Sequence, residues 1–171
     1  LLVADPDELA EGMRIAGVDL PITRVNDPAG LAPGRIALHE LRRPAPIPRG
    51  VSSAAGGAHA LETLRECLAL AQAGTVDGIC FAPLNKSSLH MAQMGHADEL
   101  HWFAEVLGHK GAHSEFNVLD GLWTCRVTSH VALGEVADLI TPEKVIGAVA
   151  LNRQALIPAG IEQPRIAVCG L

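Results

Sequence analysis

Polar side chains that could bind or activate a small molecule stand where predicted strands give way to loops or helices. Lys86 follows the apolar run 76–82, which predicts a buried strand, and opens a helical stretch. His130 follows the alternating segment 124–128, which is typical of a strand. His96 stands beside two acids on a turn that opens another helix. Open α/β sheets bind ligands at the carboxyl ends of their strands, so Lys86 and His130 are candidates for a site, and the acidic neighbours of His96 make it a third candidate.

The chemistry of each candidate has a plainer alternative. A lysine beside the backbone N–H groups of a helix start suits a phosphate or carboxylate, but Lys86 could equally be solvated, with a serine capping the helix. A histidine held at a sheet edge can bind a divalent metal through one ring nitrogen. The eight histidines match no compact metal motif such as HExxH, and a lone histidine is more often a surface residue or one whose ring is satisfied by hydrogen bonds. The residues alone therefore do not specify a reaction.

Composition excludes several classes of protein. Of the 171 residues, 49% are hydrophobic and 19% charged, which predicts a packed core. The net charge of −6 argues against nucleic acid as a partner, because phosphate binding needs a basic surface. No apolar run approaches the roughly 18 residues that span a bilayer. The four cysteines lack any CxxC pair and are predicted to be buried thiols of a cytoplasmic protein.

The pattern along the chain predicts an α/β fold with an open, mostly parallel sheet flanked by helices. It opens with a strand over 1–4 and a helix that Asp5 caps and Gly17 ends. A connector rich in Pro and Gly covers 20–50, with one edge strand near 35–41, and a turn of small residues covers 50–57. Helices are predicted at 59–73, 99–108 and 142–156, and further strands at 116–119 and 166–171.

Three segments resemble, in order and spacing, the 4-hydroxythreonine-4-phosphate dehydrogenase family of vitamin B6 biosynthesis. They are the APLNK stretch at 82–86, the RVTSHVAL stretch at 126–133 with the DLIT stretch that follows at 138–141, and PRIAVCGL at 164–171. The stretch Gly95-His96-Ala97-Asp98 is similar to the family's substrate-binding Gly-His-Thr-Glu, with Ala97 in place of Thr and His101 as a rival for His96.

The resemblance implies a two-lobed fold like that of isocitrate and isopropylmalate dehydrogenases, incomplete in this chain. Residues 1–82 would belong to the first lobe and 83–171 to the second. It implies a homodimer with its active site at the subunit interface, while the composition argues against membrane or nucleic acid as a partner. The implied reaction is oxidation of a phosphorylated hydroxy acid, such as 4-phosphooxythreonine, by NAD or NADP, followed by decarboxylation. A divalent metal (Zn, Mg or Co) would assist.

The resemblance also assigns site residues, although it assigns no catalytic residue. His130 matches the first of three metal histidines, and the second would follow Leu171. Lys86, His96 and Ala97 match positions that bind substrate. Both ends of the sequence read as if cut within or beside a strand, so a fragment is expected. The stretch Asp27-Pro28-Ala29-Gly30 matches part of the family's amino-terminal motif, but it lies too close to Lys86 in the sequence, so the match is treated as a coincidence.

Three alternatives remain open from the sequence. Replacement of Thr by Ala97 leaves room for a related dehydrogenase of a sugar-acid phosphate, such as threonate or erythronate phosphate. A phosphate acyltransferase has a related fold and needs no set of metal histidines. A non-catalytic relative is the third possibility, because the chain lacks two of the three expected metal ligands.

Overall fold

The computed structural model describes residues 1–28, 31 and 34–170, and the chain divides into two compact units, Leu1–Ala97 and Asp98–Leu171. The stretch Asp27-Pro28-Ala29-Gly30 lies partly outside the described residues, because Ala29 and Gly30 are not among them. The predicted lobe boundary after residue 82 refers to a complete two-lobed enzyme and stays a prediction.

The first unit is built on a parallel three-stranded sheet with the order β1-β3-β2. Its strands are β1 (Leu2–Ala4), β2 (Ile22–Val25) and β3 (Ile36–Glu40). The prediction of an edge strand near 35–41 was wrong, because β3 is the central strand and pairs on both sides. The prolines that suggested an edge begin at residue 44, after β3 has ended, so they remove none of its hydrogen bonds. Strand β2 went unpredicted within the connector.

Three helices accompany this sheet: α1 (Pro6–Ala16), α2 (Ala54–Gln72) and α3 (Lys86–Met91). The predicted caps of α1 are confirmed, with Asp5 accepting from two backbone N–H groups and Gly17 in the left-handed conformation at φ 65°. Helix α2 begins earlier than predicted, because the side chain of Ser53 caps it by accepting from the N–H of Gly56 at 3.1 Å.

Helices α2 and α3 and the central strand contribute to the core of the first unit, and Leu89 of α3 is only 1% exposed. Leu61, Leu64 and Leu68 of α2 are buried, as are Ala37 and Leu38 of the central strand. The spacing of the three leucines places them on one face of α2, and α2 contacts β1. The helical spacing of these apolar positions is the signal that predicted α2 from the sequence.

Two predicted buried strands do not form in the described chain. Residues 76–82 and 166–170 belong to no helix or strand, and Phe81 and Val168 are 47% and 62% exposed. A strand requires a hydrogen-bonded neighbour, and an apolar run cannot reveal whether a neighbour is available. The prediction that the four cysteines are buried was also wrong. Cys80 and Cys169 lie exposed in these two segments, and Cys67 and Cys125 are only partly buried; all four are free thiols.

The second unit combines helices with a small antiparallel hairpin. Its elements are α4 (Glu99–Val106), β4 (Asn117–Leu119), β5 (Leu122–Thr124), a 3₁₀ turn (Leu133–Glu135), α5 (Val136–Leu139) and α6 (Pro142–Leu156). The predicted helix over 142–156 is confirmed, with Thr141 as its cap. The predicted strand over 124–128 was misplaced: the hairpin pairs Val118 with Trp123, so β5 ends at Thr124.

The structure thus confirms an α/β protein with a parallel sheet and accompanying helices. The finer likeness to isocitrate and isopropylmalate dehydrogenases stays a prediction. Within the described part of the chain, no helix combines the length and the apolar character that crossing a membrane requires.

Candidate functional site

A polar cleft of about 210 Å³ lies within the second unit. The start of α4, the loop before β4 and the loop after β5 form its walls. It concentrates ionisable and hydroxyl groups in a small volume, and its polar lining consists of Asp98, His101, His113, Ser114, Glu115, Arg126, Thr128, Ser129 and His130.

Asp98 is a buried residue of the cleft lining. Its side chain caps α4, and Oδ1 accepts a hydrogen bond from the backbone N–H of His101 at 2.9 Å. The same oxygen lies 2.6 Å from Nδ1 of the His101 ring. The Asp98 side chain is only 6% exposed, so this is a buried carboxylate with close partners.

The environment of Asp98 keeps it ionised near neutral pH. Burial alone would raise the pKa of this carboxyl group, because burial disfavours charge. The hydrogen bonds from the backbone and ring of His101, with the electrostatic attraction of His101 and His130, outweigh burial and lower the pKa of Asp98 below its usual value. The cleft therefore holds a fixed negative charge.

His130 faces the other oxygen of the same carboxylate. Its Nε2 lies 3.9 Å from Oδ2 of Asp98, and its side chain is 53% exposed. The backbone at His130 has φ 57°, a left-handed conformation that residues with a Cβ adopt uncommonly. The sequence placed His130 at the end of a strand. The structure places it on a loop six residues beyond β5, where this backbone turn carries it.

His113 and the ion pair of Arg126 with Glu115 also belong to the polar lining. The ring of His113 meets that of His101 edge-on, with centroids 5.3 Å apart, and its Nδ1 lies 3.1 Å from the carbonyl oxygen of Gly111. Arg126 pairs with Glu115 at 2.6 Å. Sequence reasoning missed these residues and the role of Asp98. The one available signal was the i, i+3 spacing of Asp98 and His101 at a helix start, which allows one carboxylate to cap the helix and hold the ring.

The other predicted site residues belong to the first unit. Lys86 is the exposed first residue of α3, and Asn85 caps this helix by accepting from the N–H of Ser88 at 2.9 Å. The sequence indicated a serine as one candidate for the cap of this helix, and the structure shows that the cap is Asn85 instead. His96 is partly buried and Ala97 is exposed. The structure brings His130 together with Asp98 and His101, while the grouping of Lys86, His96 and Ala97 with them stays a prediction.

The described residues do not by themselves complete a metal site. Among them, no group of three His, Cys, Asp or Glu side chains is arranged to hold a metal ion. His130 and Asp98 offer two donors, fewer than a protein metal site normally uses. The sequence also lacks a glycine-rich dinucleotide motif, so no residue is assigned to a nicotinamide cofactor.

Comparison with known proteins settles the family. The family model for the pyridoxal phosphate biosynthetic protein PdxA matches residues 1–171. The chain belongs to the PdxA family. A Pseudomonas aeruginosa relative that carries the provisional name 4-hydroxythreonine-4-phosphate dehydrogenase 2 is 50% identical over the whole chain. A D-threonate 4-phosphate dehydrogenase from Cupriavidus necator is 31% identical, also over the whole chain.

A solved structure supports the same assignment. The crystal structure of a 4-hydroxythreonine-4-phosphate dehydrogenase from Burkholderia phymatum superimposes with a TM-score of 0.82 at 29% identity, covering 99% of this chain. This PdxA chain spans about half the length of the relatives it matches, because it covers 52% of the Pseudomonas protein and 52% of the Burkholderia chain. The resemblance seen in the sequence motifs is thereby confirmed at the level of the family.

Proposed function

We propose that this PdxA chain supplies a substrate cleft to a dehydrogenase that oxidises the secondary alcohol of a small phosphorylated hydroxy acid. The first candidate substrate is 4-phosphooxythreonine, as the name of the relative at 50% identity suggests. One observation carries the proposal: two imidazoles, His101 and His130, meet on the buried carboxylate of Asp98 in a polar cleft beside Arg126. Such a cleft can orient a polyhydroxylated anion.

In this proposal three side chains of the cleft contact the substrate. Oxidation of a secondary alcohol removes the hydroxyl proton and a hydride, so the hydroxyl group needs an acceptor held in place. The ring of His101, fixed through Nδ1, is suited to accept that hydrogen bond. Arg126 and His113 can bind the phosphate or carboxylate of the substrate.

We include a nicotinamide cofactor and a metal in the proposal because of family membership, not because of the geometry of the cleft. NAD or NADP would supply the hydride acceptor, and a divalent ion (Zn, Mg or Co) the Lewis acid for oxidation and decarboxylation. His130 is the residue of this chain that we assign to the metal, and Lys86, His96 and Ala97 are those we assign to substrate. The two-lobed architecture, the homodimer with an interfacial site and the cytoplasmic location belong to the same proposal, supported by family membership.

D-threonate 4-phosphate is the second candidate substrate. The name of the Cupriavidus relative points to it, and Ala97 stands where the family motif has Thr. Threonate carries a hydroxyl group where threonine carries an amino group, so the two candidates differ in charge at one carbon. Turnover of the two phosphorylated acids side by side distinguishes them.

The test is a spectrophotometric assay at 340 nm of the protein purified at its full natural length. Each phosphorylated acid is offered with NAD or NADP and with Zn, Mg or Co. We expect substrate-dependent reduction of the nicotinamide, and a loss of about 100-fold or more in His130→Ala with unchanged circular dichroism. The exposed His90 of α3 gives the control His90→Ala, which should keep full activity.

Two results would contradict the proposal. Absence of cofactor reduction with every substrate and metal would favour an acyltransferase or a non-catalytic protein. Full activity in His130→Ala would remove His130 from the site while leaving the dehydrogenase assignment in place.

A further inference from the structure

We propose that Asp98 is a positioning residue of the cleft, whose single buried carboxylate orients both imidazoles, one oxygen toward each ring. This inference deepens the proposed function and rests on it for the kinetic consequence. The orientation of the rings is a property of the protein alone, and it can be measured without a substrate.

The arrangement at His101 specifies which ring nitrogen carries the hydrogen. An ionised carboxylate only accepts hydrogen bonds, so Nδ1 of His101, at 2.6 Å from Oδ1, must be the donor. In the neutral ring, Nε2 then keeps the free lone pair. The His101 side chain lines the cleft and is 57% exposed, so this lone pair is available to a donor such as a substrate hydroxyl group.

The second oxygen of Asp98 acts on His130. The separation of 3.9 Å between Oδ2 and Nε2 exceeds a direct hydrogen bond, but it lies within the range of an ion pair or of one bridging water. The left-handed backbone at His130 turns the loop so that the ring meets this oxygen. The carboxylate thus favours hydrogen on Nε2 and leaves Nδ1 of His130 as its lone-pair atom.

A helix cap alone does not account for a carboxylate at this position. Capping requires one acceptor atom, and a hydroxyl group suffices at Ser53 for α2 and at Thr141 for α6. Burying a charge is costly unless it is paired, and the side chain of Asp98 is almost fully buried. Besides the backbone N–H of His101, the two imidazoles are the groups that approach this carboxylate, which indicates that the charge serves the rings as well as the helix.

The conservative variant Asp98→Asn separates these roles. Its amide oxygen can keep both hydrogen bonds of Oδ1 and cap α4, while its NH₂ group replaces the oxygen that faces His130. The matched control is Thr141→Ala, which removes a helix cap of the same unit that holds no ring. Asp98→Ser is a second variant that keeps a capping hydroxyl group and removes the second oxygen.

The measurement is long-range ¹H–¹⁵N correlation of the imidazoles in the protein labelled with ¹⁵N-histidine, with His101→Gln and His130→Gln to assign the signals. In the wild type we expect hydrogen on Nδ1 of His101. Asp98→Asn should move the ring signals of His130 and preserve the tautomer of His101, whereas Thr141→Ala should move neither. For turnover we expect kcat/KM to fall about 10–100-fold in Asp98→Asn, as for other groups that orient a functional histidine.

Unchanged ring signals of both histidines in Asp98→Asn and Asp98→Ser would overturn the inference and leave Asp98 as a cap. Ring signals that respond as expected, in a wild-type protein that oxidises no substrate, would support the positioning role and contradict the proposed dehydrogenase function. The two failures are therefore distinguishable.

Discussion

Asp5 and Arg43 are joined by a pair of hydrogen bonds that ties the end of β1 to the segment after β3. The backbone N–H of Arg43 donates to Oδ2 of Asp5 at 2.8 Å, and Nη2 of Arg43 lies 3.3 Å from Oδ1. Asp5 also caps α1, and it is only 3% exposed. One carboxylate therefore links two neighbouring strands of the parallel sheet to the first helix.

This linkage predicts a stability that depends on pH. The hydrogen bond from the backbone of Arg43 outweighs burial and, with the bonds from Glu8, the Arg43 side chain and Asp7, lowers the pKa of Asp5 from 3.8 to about 2. Because the pKa in the folded state lies below that of the unfolded chain, the stabilisation is present above pH 4 and is lost as the pH falls through 2. The shift corresponds to about 2 kcal/mol of unfolding free energy.

The variant Asp5→Asn tests this, because asparagine still caps a helix. We expect it to lose about 2 kcal/mol at pH 7 and almost nothing near pH 2, relative to the wild type at the same pH. Urea unfolding should be followed by circular dichroism, since both tryptophans lie in the second unit. Asp7→Asn, at an exposed acid of the same turn, is the control. An equal loss at both pH values would contradict the assignment.

At Gly57, helices α2 and α3 lie too close together to leave room for a side chain. A Cβ atom at Gly57 would collide with the backbone carbonyl of Ser88 and approach Cβ of Ala92 to 2.9 Å. Gly57→Ala should therefore destabilise the protein by about 1–3 kcal/mol in urea unfolding. Gly12→Ala in α1, where nothing lies within 4 Å, should be neutral or stabilising. Equal stabilities of the two variants would show that α3 moves aside freely.

The parts of the fold that sequence predicted well are those set by local chemistry. The Asp5 cap, the Gly17 end of α1 and the start of α6 after Thr141 depend on residues within one or two turns. The segments 76–82 and 166–170 were predicted wrongly because a strand depends on a partner elsewhere in the chain. The central position of β3 likewise follows from pairing, which composition does not reveal.

In the candidate site, too, the sequence indicated local features but not contacts between distant residues. Motif resemblance matched His130 to a metal histidine, but nothing in the sequence indicated that Asp98 would face it from 32 positions earlier. The pair of Arg126 and Glu115 also joins two loops on either side of the hairpin. Contacts between loops depend on the folded arrangement of their supports, so they become visible only in the structure.

Substitutions of Arg126 and of Glu115 should change the binding of an anionic substrate in opposite directions. Their side chains are about half exposed, so the ion pair itself adds little stability. A phosphorylated substrate would compete with Glu115 for Arg126. We expect Arg126→Gln to raise KM about 10-fold with a smaller change in kcat, and Glu115→Gln to lower KM. Arg153→Gln, at an exposed arginine of α6, is the control in the same kinetic assay. Equal KM values in all three variants would exclude Arg126 from binding.

We expect Lys86, in the first unit, to contribute to substrate binding only through its charge. It is the exposed first residue of α3, and Asn85, rather than Lys86, caps that helix. Lys86→Ala should therefore leave the unfolding free energy within about 0.5 kcal/mol of the wild type. If Lys86 binds the substrate phosphate, KM should rise several-fold in Lys86→Ala and recover in Lys86→Arg, because arginine keeps the charge. The effect should also weaken with added salt, since the ammonium group is exposed. Lys144→Ala in the first turn of α6 provides the matched loss of a lysine. Unchanged kinetics in Lys86→Ala would assign Lys86 to the solvated surface, and an increase in KM that arginine does not reverse would point to the shape of the side chain rather than its charge.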